Sequence, residues 1–407
     1  MDTIITRELL LRLPKTDLHV HLDGSLRIPT LIDLARGANV VLPSCEEAGL
    51  RELVFKEAYG NLEEYLRGFG YTVAAMQTRE ALERVSYELA VDNQAEGVRY
   101  VEVRFAPQLH ARAGMDEVDV LRAVAAGMDR AKSAFNRRPE VASGAEPPFE
   151  YGIIVCAMRY FDERFSEYYR NFVEIHRYSE RDRVFSLAAL ETVQAAVHAR
   201  DDHGVPVVGF DLAGPEEGYP PMDYREAYTW AHRHFLRKTV HAGEAYGPES
   251  IFQAITELHA DRIGHGTSLL NPQTVSDPAI KDKDRYVRDL AQFIADRRIT
   301  VEICLTSNQQ TTPAYRDLAW HPFGQMLSHR ISMTVCTDNR TVSNTTVTDE
   351  LWKAATTFDL SLKDLKNIIV YGFKRSFFPQ NYAVKREYVR RCMEYYEKVV
   401  EGAPRGA

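Results

Sequence analysis

The sequence predicts an α/β fold, a (β/α)8 TIM barrel with extra helices after strand 1 and at the C-terminus. Three observations lead to it. Short apolar, β-branched runs recur eight times along the 407 residues. Stretches of helical periodicity separate them, and near-continuous hydrophobic strands alternating with helices argue a parallel sheet covered by those helices. No glycine-rich phosphate loop follows any strand, which disfavours the rival open, doubly wound sheet. A barrel of this length, with insertions, is ordinary.

Strand 1 is read at Asp17–Leu22, where polar and apolar residues alternate. Val98–Phe105, rich in valine, and the almost unbroken apolar run Tyr151–Met158 supply strands 2 and 3. Val207–Leu212, Lys238–His241, Arg262–His265, Thr300–Leu305 and Ser332–Cys336 supply strands 4 to 8. Helical spacing of apolar residues places helices between them at Arg79–Ala95, Val118–Ala134, Leu187–Arg200, Tyr224–Leu236, Pro248–Leu258 and Val287–Arg298. Two insertions interrupt the alternation. Ile28–Phe69 is helical, and Arg137–Phe149, with three prolines, reads as an exposed loop. A last helix at Val384–Glu401 runs into a Gly/Pro tail, expected to be disordered from about residue 402. Residues 1–407 are read as a single domain.

Composition bounds the function. Hydrophobic residues make up 45% and charged residues 27%, as in an ordinary soluble globular protein. Net charge is −8 without any Lys/Arg run, which argues against nucleic acid as a partner. No apolar segment approaches the roughly 20 residues of a membrane helix, and the N-terminus carries no signal-peptide pattern. The five cysteines are odd in number and scattered, and three sit in strand-like apolar runs. A reducing, cytoplasmic setting is expected.

Chemistry in such a barrel sits at the C-terminal ends of the strands. Strand 1 ends His19-Val20-His21-Leu22-Asp23-Gly24, and its two imidazoles share one face, about 7 Å apart in rise. Strand 4 ends Asp211-Leu212-Ala213-Gly214, strand 5 His241-Ala242-Gly243-Glu244, and strand 6 Gly264-His265-Gly266. Strand 7 ends Thr306-Ser307-Asn308, and strand 8 Cys336-Thr337-Asp338-Asn339. Each has a plainer reading alone: a surface His-x-His, a turn at Gly-His-Gly, or a helix cap at Asp338. Together, His19, His21, His241 and Asp338 form a donor set suited to zinc with one position left for water. Such a cation lowers the pKa of bound water to about 7. Glu244, three residues past His241, is free to face a substrate, and glycines on both sides of His265 leave its ring free to be aimed.

These stretches, in this order, closely resemble the adenosine deaminase family of the amidohydrolase superfamily. Leu18–Leu26, Asp211–Gly214, His241–Glu244, Arg262–Gly266 and Thr337-Asp338 carry the resemblance, with Val101–Phe105 and Cys304–Asn308 matching family strands 2 and 7. The resemblance implies one catalytic zinc held by His19, His21, His241 and Asp338. Glu244 would protonate purine N1. A zinc-bound hydroxide, aided by His265 and Asp338, would attack C6 and release ammonia. Gly214 N–H would bond N3, and Asp23 a ribose hydroxyl. Glu244 must then be protonated when substrate is bound, which calls for burial to raise its pKa. Two-metal relatives carry a lysine at the end of strand 4; here that end lacks one, which points to a single metal.

After strand 1, Leu62, Tyr65, Leu66 and Phe69 fall at i, i+3, i+4, i+7, one face of a helix. Spacing alone reads as core packing, whereas the resemblance adds an apolar lid over the ribose mouth. Met158, ending strand 3, is either core or pocket wall.

The family's usual pair of aspartates followed by proline is here Asp338-Asn339-Arg340. The second position donates to purine N7, which an asparagine amide does without a proton to manage. The expected reaction is hydrolytic deamination of adenosine or 2′-deoxyadenosine in purine salvage. Free adenine and 5′-modified adenosines, such as aminodeoxyfutalosine or methylthioadenosine, are the alternative substrates. Asp23 favours a nucleoside, since relatives acting on adenine tend to carry Glu there. A metal-binding protein without catalysis is the reading from another class, and Glu244 with His265 argues against it.

Overall fold

A computed structural model describes residues 4–60 and 62–403, without the side chains of Leu62 and Glu63. The end of the tail, 404–407, lies outside the described residues. Eight strands form one sheet in sequential order: β1 (Lys15–His21), β2 (Val98–Phe105), β3 (Glu150–Met158), β4 (Val207–Ala213), β5 (Arg237–Ala242), β6 (Arg262–His265), β7 (Thr300–Ile303) and β8 (Met333–Val335). Neighbours pair in parallel throughout. A parallel bridge between Val20 and Asp338 brings the end of β8 back to β1. The predicted (β/α)8 barrel is what the chain forms.

The strands are short and buried on both faces, with helices outside, so their apolar character is nearly continuous. Inside, ions replace much of the usual aliphatic filling. Arg104 donates to Asp211 at 2.8 Å and to Glu302 at 2.9 Å, while Arg262 pairs with Glu302 at 2.6 Å and also with Glu102. All five are buried. Such a network holds only where each charge has partners, because a lone buried ion costs several kcal/mol, on the order of the whole stability of a domain. The network lies just beneath the histidines of β1 and β5.

The expected elements shift at their ends. Strand 7 stops at Ile303, and Leu305–Thr311 is a helix, so Thr306, Ser307 and Asn308 stand on its first turns. The reason is tertiary: the buried Glu350 carboxylate accepts the Thr306 N–H at 3.1 Å, satisfying a helix-start donor. The insertion after β1 resolves into helices Ile28–Ala38, Glu47–Leu53 and Leu62–Ala75. The 137–149 loop holds one helical turn, Pro139–Ala142, pinned by buried Val141. Among the described residues, no helix is long and apolar enough to cross a membrane. All five cysteines are free, with only Cys45 exposed.

Candidate metal centre and active site

The C-terminal ends of β1, β5, β6 and β8 meet at one mouth of the barrel. Ligand atoms of His19, His241, His265 and Asp338 lie within 4.8 Å of one another. His21 joins from the side, its Nε2 3.3 Å from His241 Nε2 and 3.5 Å from Asp338 Oδ1. Gly264 makes this convergence fit, since a Cβ there would stand 3.1 Å from the His19 ring. Asp338 takes a left-handed backbone, φ 59°, with its N–H on His19 O and its C=O on His21 N–H. Those two bonds hold its carboxylate against the β1 histidines.

Carboxylates behind the imidazoles decide which nitrogen faces the mouth. His19 Nδ1 meets Glu302 at 2.8 Å, and His241 Nδ1 meets Asp211 at 3.0 Å. Both carboxylates are buried; burial pushes them up, but Arg104, with Arg262 beside Glu302 and His241 beside Asp211, holds them well below the usual range. They therefore accept the Nδ1–H hydrogen bonds and leave each Nε2 lone pair pointing inward. His19 Nε2 is buried and has no hydrogen-bond partner. An unpartnered buried acceptor of that kind, aimed at its neighbours, suits a bound cation. Burial holds the His21 pKa well below 6.5, and the imidazoles around Asp338 outweigh burial to keep it ionised. Neutral imidazoles around an ionised carboxylate fit a divalent cation of the zinc type.

His265 sits in the same cluster but offers something else. Phe323 N–H donates to His321 Nδ1, and His321 Nε2 donates to Asn308 Oδ1 at 3.2 Å. The Asn308 amide then donates to His265 Nδ1 at 3.1 Å. With Nδ1 accepting, the neutral ring carries its proton on Nε2. That nitrogen faces Glu244 at 3.7 Å. His265 thus presents a donor to the mouth, where His19 and His241 present lone pairs.

Glu244 is held through its backbone. The buried Glu216 carboxylate accepts the N–H groups of Gly243, Glu244, Ala245 and Tyr246 at 2.6 to 3.1 Å, and the Ser250 hydroxyl. The loop after β5 is wrapped around that one side chain. The Glu244 side chain itself is one-fifth exposed, facing the mouth.

The remaining predicted residues surround this centre. Asp23 is buried with Oδ1 unpartnered, and burial raises its pKa to about 7. Gly214 has φ 97° and its N–H makes no hydrogen bond among the described residues. Half-buried Met158 stands beside it, its Cε 3.5 Å from where a Cβ would be. Asn339 is buried, and Gly24 leaves room for it, since a Cβ would overlap its Oδ1 at 1.9 Å. Its Nδ2 donates to Tyr65 Oη at 2.7 Å, and Tyr65 also meets Ser343 at 2.9 Å. Helix Leu62–Ala75 is thereby tied to the end of β8. On that helix Tyr65 is buried, Phe69 half-buried and Leu66 41% exposed, so the apolar stripe does not pack as one face. The Leu62 side chain lies outside the described residues.

Sequence reasoning missed Glu302, Arg104, Asn308, His321 and Glu216 as parts of the site and gave Asp211 no role. A lone acid in the apolar run Thr300–Leu305 was a signal for Glu302. No local pattern marks Glu216 or His321.

A family model described as adenosine deaminase matches residues 14–201 and 180–391. An adenosine deaminase from Mycobacteroides abscessus is 37% identical over 372 residues, 90% of this chain and 91% of its own. Among solved structures, an amidohydrolase from Burkholderia ambifaria with bound zinc aligns with a TM-score of 0.76 at 21% identity, covering 98% of this chain and 95% of that one. The N6-methyl-AMP deaminase of Arabidopsis thaliana gives 0.72 at 24% identity, with 97% and 100% covered. Those two likenesses are of fold.

Proposed function

Because this chain belongs to the adenosine deaminase family, we propose that it hydrolyses the 6-amino group of adenosine or 2′-deoxyadenosine, giving the 6-oxo purine and ammonia. One observation carries the reading: a donor-bearing His265 and the Glu244 carboxyl stand side by side next to a set of inward lone pairs. Metal binding alone needs neither of the first two.

His19, His21, His241 and Asp338 would hold one zinc ion. When bound, it supplies Lewis acidity that makes water nucleophilic at neutral pH. The chain's own groups do the rest. Gly214 N–H bonds purine N3, Asn339 donates to N7 and Asp23 takes a ribose hydroxyl, so C6 sits over the centre. Protonated Glu244 gives its proton to N1, drawing electrons from C6. As water oxygen bonds to C6, the Asp338 carboxylate takes one of its protons and His265 Nε2–H donates to the attacking oxygen. Asp338 then returns the proton to the amine nitrogen, the C6–N bond breaks and ammonia leaves, and the proton of the C6 hydroxyl passes to the Glu244 carboxylate as the 6-oxo group forms. Tyr65, Leu66 and Phe69, with Leu62, lie on the helix that would cover the ribose, and Met158 would wall the purine.

The test is a panel of adenine, adenosine, 2′-deoxyadenosine, 5′-modified adenosines and N6-methyl-AMP, followed by ultraviolet absorbance and by release of ammonia, or of methylamine from N6-methyl-AMP. Highest kcat/KM on the two unmodified nucleosides supports the reading. Preference for adenine, or for a 5′-substituted substrate, overturns it in favour of that substrate.

A further inference from the structure

The mouth opposite the metal centre, at the N-terminal ends of β4 to β7, is also concave. A cavity of about 680 Å³ opens there, between the strand starts and the segment 374–385, a volume suited to a small organic ligand. Arg237 at its wall begins β5, the strand that carries His241, so the two mouths are about 13 Å apart along it.

Its lining is cationic in a chain of net charge −8. Arg297, Arg298, Lys374, Arg375 and Lys385 all line it. None has a carboxylate within ion-pairing distance among the described residues. The one acidic lining residue, Asp261, is taken by Arg237 at 3.2 Å and Lys238 at 3.5 Å. Arg375 Nε is buried without a hydrogen-bond partner. Burial and the nearby Arg298 charge both lower the Arg375 pKa, and burial brings Lys385 down to about 8. The Lys385 ammonium is taken by the carbonyls of Lys374 and Ser376, which leaves Arg297, Arg298, Lys374 and Arg375 without an acidic partner among the described residues.

The turns before the strands complete the lining. In the turns leading to β2 and β4, the left-handed position is Gly97 and Gly204. In the turns leading to β5, β6, β7 and β8 it is Phe235, His259, Arg298 and Arg330, at φ 57°, 54°, 55° and 56°. Glycine is the unstrained choice at that position, and a bulky residue there is an outlier. The first three line the cavity and Arg330 does not. Phe235 is 91% exposed and Tyr382, on the rim, 77%, so neither ring is there for the core. Three neighbouring turns thus each bring a residue to the one cavity.

We propose that this N-terminal mouth binds a nucleoside polyphosphate, its phosphates on Arg298, Lys374 and Arg375 and its base against Phe235 and Tyr382. Guanidinium forks match phosphate oxygens bidentately, and exposed aromatic faces accept any base.

The experiment is calorimetric titration of the metal-loaded full chain with UTP, which offers no purine to the other mouth, and with inorganic tripolyphosphate. Comparison with variants cancels any heat from metal chelation. One equivalent of each is expected to bind, more weakly as salt rises. Arg298→Gly should weaken both by at least about tenfold, the loss of one charge-assisted contact, while its melting temperature holds or rises because the strained position is relieved. Phe235→Gly should weaken UTP and leave tripolyphosphate unchanged, separating a nucleotide site from a plain phosphate site. No binding of either at low salt, or equal binding by Arg298→Gly, overturns the site. An unchanged UTP affinity in Phe235→Gly overturns the nucleotide assignment, as does tighter binding of a single-stranded oligonucleotide than of UTP.

Discussion

Glu216 touches no substrate in this scheme, yet replacing it with glutamine should damage catalysis more than folding. Its Oε2 accepts three N–H groups, from Glu244, Ala245 and Tyr246, and its Oε1 accepts Gly243 N–H and the Ser250 hydroxyl. A glutamine can place its oxygen on the three-bond side. Its NH2 then faces the Gly243 N–H, which loses its acceptor, whereas Ser250 can turn and accept instead. One stranded buried N–H costs about 1–3 kcal/mol, and the three surviving bonds weaken roughly by half without the charge. A total near 2–4 kcal/mol leaves a domain of ordinary stability folded, which urea unfolding can measure. The loop that carries Glu244 relaxes, however, and a shift of about 1 Å costs roughly 10²-fold in rate. The kcat of Glu216→Gln should fall on that scale with KM and metal content little changed. Because Glu216 acts through Glu244, adding the change to Glu244→Gln should cost almost nothing further. Parent-like kcat in Glu216→Gln, or the same fold-loss in both backgrounds, refutes the reasoning.

Three further outcomes are expected. Glu244→Gln should keep its metal, measured by elemental analysis, and lose at least about 10² in kcat, the scale of a positioned general acid; near-normal turnover with full metal contradicts the role. Asn339→Ala should lose kcat/KM on adenosine and little on the 7-deaza analogue, which lacks the N7 acceptor; equal loss on both points instead to its bond with Tyr65. Burial raises the Asp17 pKa to about 7, against hydrogen bonds from Thr337 and the Arg340 charge. A raised folded-state pKa gives stability that is full below the unfolded value near 4 and is lost as pH rises through 7. Asp17→Asn mimics the protonated form, so it should match the parent near pH 4 and exceed it at pH 8, by up to about 4 kcal/mol. An equal difference at both pH values in denaturant melts goes against this.

Much of the site was legible because the signals are local. Alternation along a strand is a property of its own backbone, so His19 and His21 share a face whatever else the chain does. Strand order follows from the repeated strand–helix alternation, and a parallel barrel collects its C-terminal ends at one mouth, which is how His241, His265 and Asp338 could be placed beside them. The glycines at 24 and 264 stand where the chain comes closest to Asn339 and His19. The apolar stripe on helix Leu62–Ala75 was less informative. Spacing shows which residues share an angle, not what lies opposite, and exposed Leu66 departs from the core reading for that reason.

The sequence by itself determined the barrel and which polar residues gather at the C-terminal ends of its strands. Only the tertiary structure decided what each of those residues presents. His19 and Glu302 are 283 positions apart, and Asn308 reaches His265 from a helix that sequence reading took for a strand end. Those contacts set which imidazole nitrogen holds the proton, and so which histidines offer a lone pair and which a donor. The physical reason is that a tautomer belongs to a hydrogen bond between distant segments and leaves no mark on the residue's own neighbours. The opposite mouth is a second case: Phe235, His259 and Arg298 are unremarkable in sequence, and only their shared left-handed backbone and common cavity join them.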